Sequence, residues 1–90
     1  MSVKIRIPPI LQELLGTPDI VEMPGCNFRE CLDELEIQFP GIKGQLYDKH
    51  GHLSGIYDIY VNDKSAYPNE LSKPLEDGDV VSIVMLYMGG

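Results

Sequence analysis

Asn27-Phe28-Arg29-Glu30-Cys31-Leu32-Asp33-Glu34-Leu35-Glu36-Ile37-Gln38-Phe39 is the stretch that decides the fold. Phe28, Cys31, Leu32, Leu35 and Phe39 recur at three- and four-residue steps, so they form one apolar stripe on a helix. Glu30, Asp33, Glu34, Glu36 and Gln38 fill the remaining positions and face water. Asn27 is a good N-cap and Glu30 stands at the capping-box spacing. Pro40-Gly41 ends the helix. A stripe of this kind has to be buried, and the flanking segments show against what.

On the N-terminal side, Val3-Lys4-Ile5-Arg6-Ile7 alternates apolar and basic residues and reads as a half-buried strand. Pro8-Pro9 stops it by removing two N–H donors. Ile10, Leu11, Leu14 and Leu15 then cover a short loop or single helical turn ending at Gly16, and Asp19 to Met23 is a second strand, antiparallel to the first. On the C-terminal side, residues 41–55 are rich in glycine and polar groups and read as loop and turn, with Ile42, Leu46 and Leu53 pinned to the core. Ile56 to Val61 is a third strand, with Tyr57, Ile59 and Val61 on one face and Asp58 and Tyr60 on the other. Asn62-Asp63 is a turn pair leading to a short edge strand, Lys64 to Tyr67, closed by Pro68. Leu71 and Leu75 anchor the next loop, Glu76-Asp77-Gly78-Asp79 is a tight turn, and Val80 to Tyr87 is the last strand.

The helix stripe is covered only if all strands form one sheet against it. The first and last strands are the most apolar and belong in the middle, parallel to each other through a right-handed crossover. The expectation is an α+β domain of β-grasp (ubiquitin-like) type: a mixed sheet of four or five strands packed on one helix, with the other sheet face open to water. Residues 1–88 form this domain and residues 89–90 a flexible Gly-Gly tail.

Composition narrows the function. The chain has 90 residues, with 43% hydrophobic and 23% charged, which suits one folded domain with its own core. Its net charge of −7 opposes binding of a polyanionic nucleic acid and favours a basic protein partner. No apolar run is long enough for a membrane span, and two cysteines without a targeting segment point to the cytoplasm.

Few groups suggest chemistry within the chain. Cys26 and Cys31 are five residues apart, not a zinc or redox spacing; they suit a hydrophobic staple across the helix start. His50 and His52 lack further ligands and read as turn residues, and Asp77-Gly78-Asp79 lacks the closing glutamate of a calcium loop. No metal site, nucleophile motif or phosphate-cradling loop is expected. Tyr47, Tyr57, Tyr60, Tyr67 and Tyr87 read as half-buried sheet residues.

The end of the sequence, Met85-Leu86-Tyr87-Met88-Gly89-Gly90, carries the functional expectation. At average glycine usage a Gly-Gly ending arises by chance in only about 0.5% of chains. Two residues without Cβ pass through openings that admit no side chain. Gly90, with Gly89 behind it, is the candidate reactive site. Tyr60, Val84, Leu86, Tyr87 and Met88 are the candidate partner-binding residues; Val84 and Leu86 are expected on the open sheet face with Tyr60, rimmed by Lys4 and Arg6, while Val81, Ile83 and Met85 point inward.

The chain resembles the small sulfur-carrier proteins of the MoaD/ThiS type. The matching pieces are Ile7-Pro8-Pro9-Ile10-Leu11 with Gly16, the helix with Leu32 and Leu35, Ile59-Tyr60-Val61-Asn62-Asp63, Leu75-Glu76-Asp77-Gly78-Asp79-Val80-Val81-Ser82-Ile83, and Gly89-Gly90. Among branches it is most similar to the CysO type, and it departs from the usual family tail at Met85 and Met88. The resemblance implies that an E1-like adenylating enzyme spends ATP on the Gly90 carboxylate, and that sulfide or a persulfide displaces AMP to leave a thiocarboxylate. A sulfur-accepting synthase then takes the sulfur, in cysteine or homocysteine, molybdopterin or thiazole formation. It implies no bound cofactor, and a JAMM-type metallopeptidase as a further partner. The small subunit of molybdopterin synthase and a ubiquitin-like modifier joined to lysines are the alternatives.

Overall fold

A computed structural model describes residues 2–25 and 27–86. In it, five strands form one mixed sheet in the order β2-β1-β5-β3-β4. β1 (Val3–Arg6) and β5 (Val80–Met85) are central and parallel, with Lys4, Ile5 and Arg6 opposite Val80, Val81 and Ser82. β2 (Ile20–Met23) pairs antiparallel with β1, and β3 (Tyr57–Val61) antiparallel with β5. This is the topology expected from the apolar weight of the first and last strands.

The long helix α2 (Phe28–Gln38) lies across one sheet face. The side-chain oxygen of Asn27 accepts the Glu30 N–H at 2.9 Å, so the N-cap read from sequence is in place. Phe28, Cys31, Leu32 and Leu35 are all buried. They meet Val3 and Ile5 of β1, Ile59 of β3 and Val81 of β5 in one core cluster. Cys26, the other half of the expected staple, lies outside the described residues.

Two short helices join α2. The residues after Pro8 form α1 (Pro9–Leu15), a longer helix than the single turn expected. The reason is the second proline: at the first helical position its missing N–H costs nothing and its fixed φ is already helical. Gly16 closes α1 at φ 71°, donating its N–H to Gln12. The segment after α2, read from sequence as loop, begins with α3 (Ile42–Leu46). Its start has no side-chain cap of its own, because Gly41 stands there at φ 105°. Instead the Glu36 carboxylate, on the last turn of α2, accepts the N–H groups of Gly41 and Lys43 at 2.9 and 3.0 Å. Those two backbone bonds hold the Glu36 carboxyl below its ordinary pKa. Lys43 also pairs with Asp33, so α2 is tied to α3 twice. Ile42 and Leu46 are fully buried, as expected.

The rest of the 41–55 segment is turn. Asp48 accepts the N–H groups of His50 and His52 at 2.8 and 3.0 Å, which lowers its pKa. Thus the histidines serve a turn held by a carboxylate. Among the described residues no group of three or more His, Cys, Asp or Glu side chains could hold a metal ion.

β3 alternates as read: Tyr57, Ile59 and Val61 are buried, Asp58 and Tyr60 half-buried. Asn62 and Asp63 both have positive φ, 51° and 69°, the backbone of a two-residue type I′ hairpin turn. β4 covers only Lys64–Ser65, shorter than expected. The Tyr67 N–H turns to the Ser65 hydroxyl at 3.3 Å rather than to β3, and Pro68 has no N–H to offer. Tyr67 is accordingly 75% exposed rather than half-buried.

Candidate functional site

The sheet face away from α2 carries Lys4 and Arg6 of β1, Ser82 and Val84 of β5, and Asp58 and Tyr60 of β3. The register sets Tyr60 opposite Ser82 and Ser82 opposite Arg6, making one row across the middle of the sheet. Asp58 lies opposite Val84 in the next row. A groove of about 580 Å³ runs over this row. Pro8 and Pro9 wall one side of it, and Arg6 and Asp63 supply charges of opposite sign. Tyr60 and Val84, both named from sequence, line it together.

Two expectations for the end of β5 hold in strand parity but not in surroundings. Met85, placed inward by parity with Val81 and Ile83, is 40% exposed and lines the groove. Val81 and Ile83 are buried, at 0% and 3%; Met85 has the same parity, opposite buried Tyr57, but as the last residue of β5 it is left exposed. Leu86 does not line the groove that Tyr60 and Val84 line. It lies past the end of β5 and donates its N–H to the Ile56 carbonyl at 2.7 Å. That bond sets its side chain beside a separate hollow, lined with Leu53, Tyr57 and Tyr67. The residues that sequence reasoning missed are therefore Pro8, Pro9 and Met85 at the groove, and Leu53, Tyr57 and Tyr67 at the exit. The adjacent prolines were visible in the sequence as a rigid wall; no sequence signal marked Tyr67, whose exposure depends on where β4 ends.

The opposite end of β5 is held by polar groups. Asp79 accepts the Glu76 N–H at 2.8 Å and the Asn62 side-chain N–H at 2.9 Å. Asn62 in turn accepts the Val80 N–H at 2.9 Å. These bonds stabilise the ionised Asp79 and lower its pKa. Gly78, at φ 87°, gives the turn the positive-φ position that its tight geometry needs.

Gly89 and Gly90, with Tyr87 and Met88, lie outside the described residues. The last described residue, Leu86, stands just past the end of β5.

A mixed five-stranded sheet with central parallel strands, an α2 crossover and a bare second face defines a β-grasp, ubiquitin-like domain. Comparison with known proteins makes the class specific. The ThiS family model matches residues 5–90, and the chain belongs to that family. It is a ThiS/MoaD-type sulfur-carrier chain similar to CysO. A chain in the crystal structure of the Amycolatopsis orientalis BexX/CysO complex is 31% identical, with TM-score 0.85, covering 98% of this chain and 99% of that one. Mycobacterium tuberculosis CysO is also 31% identical, with TM-score 0.85, covering 94% and 99%. SAMP1 of Haloferax volcanii shares the fold at TM-score 0.83 and 19% identity over 100% of both chains. A search of curated proteins finds no match.

Proposed function

We propose that this protein is a sulfur carrier whose Gly90 carboxylate is adenylated by an E1-like enzyme and then converted to a thiocarboxylate. The observation that carries this reading is the family match, which runs to residue 90 and so takes in Gly89-Gly90. A carboxylate is a poor electrophile. Attack of its oxygen on the α-phosphorus of ATP expels pyrophosphate and makes a mixed anhydride. Hydrosulfide attacks that carbonyl carbon, AMP leaves with the bonding pair, and the carrier retains sulfur in place of one oxygen. ATP and the catalytic groups belong to the partner. The chain acts as a protein co-substrate, and a tail without side chains at its tip suits a narrow active-site entrance.

The 31% identity to two CysO chains supports a sulfur acceptor in cysteine or homocysteine biosynthesis. An amino-acid synthase is then the sulfur-accepting partner, and a JAMM-type metallopeptidase would hydrolyse the amide bond between Gly90 and the added amino acid, freeing the amino acid and restoring the Gly90 carboxylate. The groove over Tyr60 and Val84 supports docking on the open sheet face, where apolar ground is flanked by Arg6 and Asp63. No helix among the described residues is long and apolar enough to cross a membrane.

Intact-mass spectrometry after co-expression with the activating enzyme tests the reading. One oxygen replaced by sulfur on the C-terminal residue is the expected result. Isopeptide adducts on lysines of other proteins would replace it with a modifier. A permanent complex with a synthase on gel filtration would replace it with a subunit role.

A further inference from the structure

The hollow beside the tail's exit is separate from the sheet groove. It holds about 270 Å³. Leu53, Tyr57, Tyr67 and Leu86 give it apolar surface, and Asp58 and Glu70 supply its charges. Among the described residues no lysine or arginine lines it. Tyr67 is 75% exposed and Leu86 39%, and neighbouring Ile56 is 41% exposed. Leu86 is anchored through its N–H to Ile56, so the hollow adjoins the end of β5.

Covalent geometry ties this hollow to whatever acts on Gly90. Four residues separate Leu86 from Gly90, and a fully extended chain of that length reaches at most about 14 Å. An enzyme that closes on the Gly90 carboxylate therefore lies over the ground around Leu86. An enzyme that binds ATP gathers positive charge around the triphosphate. Its approach to an acidic hollow on a chain of net charge −7 is favoured by complementary potentials.

We infer that this hollow receives a projecting apolar side chain, flanked by lysine or arginine, from the enzyme that activates the terminal carboxylate. The inference rests on the carrier reading and adds to it a second contact surface, next to the tail. The apolar side chain fills the space between Tyr67 and Leu86, and the basic flank meets Asp58 and Glu70. Burying the wide face of Tyr67 supplies much of the contact, as exposed aromatics do at protein interfaces.

The experiment is ATP–pyrophosphate exchange by the purified E1-like adenylating enzyme of the same organism, titrated with carrier. Tyr67→Asp and Glu70→Lys are each expected to raise the half-saturating carrier concentration about tenfold, with kcat unchanged. Thermal melts show which variants remain folded; Glu70→Lys alters one polar side chain and serves if Tyr67→Asp does not fold. Unchanged half-saturation in a folded variant, with exchange by the wild type intact, overturns the docking hollow and leaves the carrier reading standing. Absence of exchange with wild-type carrier overturns the carrier reading and this inference together. A wild-type dimer on gel filtration that Tyr67→Asp dissolves would assign the hollow to a second copy of the chain and overturn the inference.

Discussion

The two ends of β5 are built from different chemistry. At the Val80 end, Asp79 and Asn62 exchange hydrogen bonds with each other and with the Glu76 and Val80 amides. Ser2 joins them, donating its N–H to Asp77 at 2.8 Å and accepting the Gly78 N–H at 2.8 Å. Polar groups there are used up in holding turns together. At the Met85 end, the last backbone tie among the described residues is the Leu86–Ile56 bond. The side chains around it, Met85, Leu86, Ile56 and Tyr67, are apolar and exposed. The contrast separates two tasks: one end fixes the strand to its neighbours, and the other presents surface beside the departing chain. Hydrogen-bonded turns suit the first because they set geometry. Exposed apolar area suits the second because its burial waits for a partner.

The comparison can be broken at either end. The largest effect is expected from removing Gly90, which takes away the reacting carboxylate's position. Exchange by the activating enzyme should fall by about 10²-fold or more, since even small misplacements cost that much, while the melting temperature stays unchanged. A melting shift equal to that of a core variant would show that the tail is structural.

Asn62→Ala strikes the polar end. It removes both side-chain bonds and puts alanine at φ 51°, so stability should drop by about 1–3 kcal/mol in urea titration. Activation at saturating carrier should not change. Asn62→Gly, which tolerates the backbone but lacks the bonds, should recover part of the loss.

Leu86→Asp strikes the apolar end. Its stability cost should stay within about 0.5 kcal/mol, because a partly exposed side chain beyond the strand loses little packing. Its affinity for the activating enzyme should fall several-fold, read by titration calorimetry. Stability loss larger than that of Asn62→Ala would reverse the assignment of the two ends.

The smallest effect is on acid stability. Asp79 has a folded pKa below its ordinary value of 3.8. A depressed carboxylate contributes stability that is present above its unfolded pKa and lost as pH falls through the folded one. The urea midpoint should therefore fall as pH is lowered from about 5 into the range below 3.8. Asp79→Asn should flatten that decline. An identical acid slope in wild type and variant would remove Asp79 from the account.

The helix and the central strands were legible in the sequence because local periodicity encodes burial. Phe28, Cys31, Leu32 and Leu35 had to face a common surface, and so did Val3 and Ile5, Ile59 and Val61, and Val81 and Ile83. Asn27, Gly16, Gly78 and the Asn62-Asp63 pair were legible because capping and positive-φ turns are local chemistry. The candidate site was legible only in part: Tyr60 and Val84 share a groove as read, but parity did not reveal that Met85 stays exposed at the end of β5 or that Leu86 borders a different hollow. The sequence by itself thus determined the element types, the parallel central pair and the Gly-Gly ending with the family it shares. Only the tertiary structure decided that α3 forms, that β4 stops at Ser65, and that Leu86 bonds to Ile56 and borders a hollow apart from the groove of Tyr60. Each of these depends on a hydrogen bond whose partner is not chosen by local periodicity: Glu36 capping the next helix, Ser65 taking the Tyr67 N–H, and Ile56 taking the Leu86 N–H.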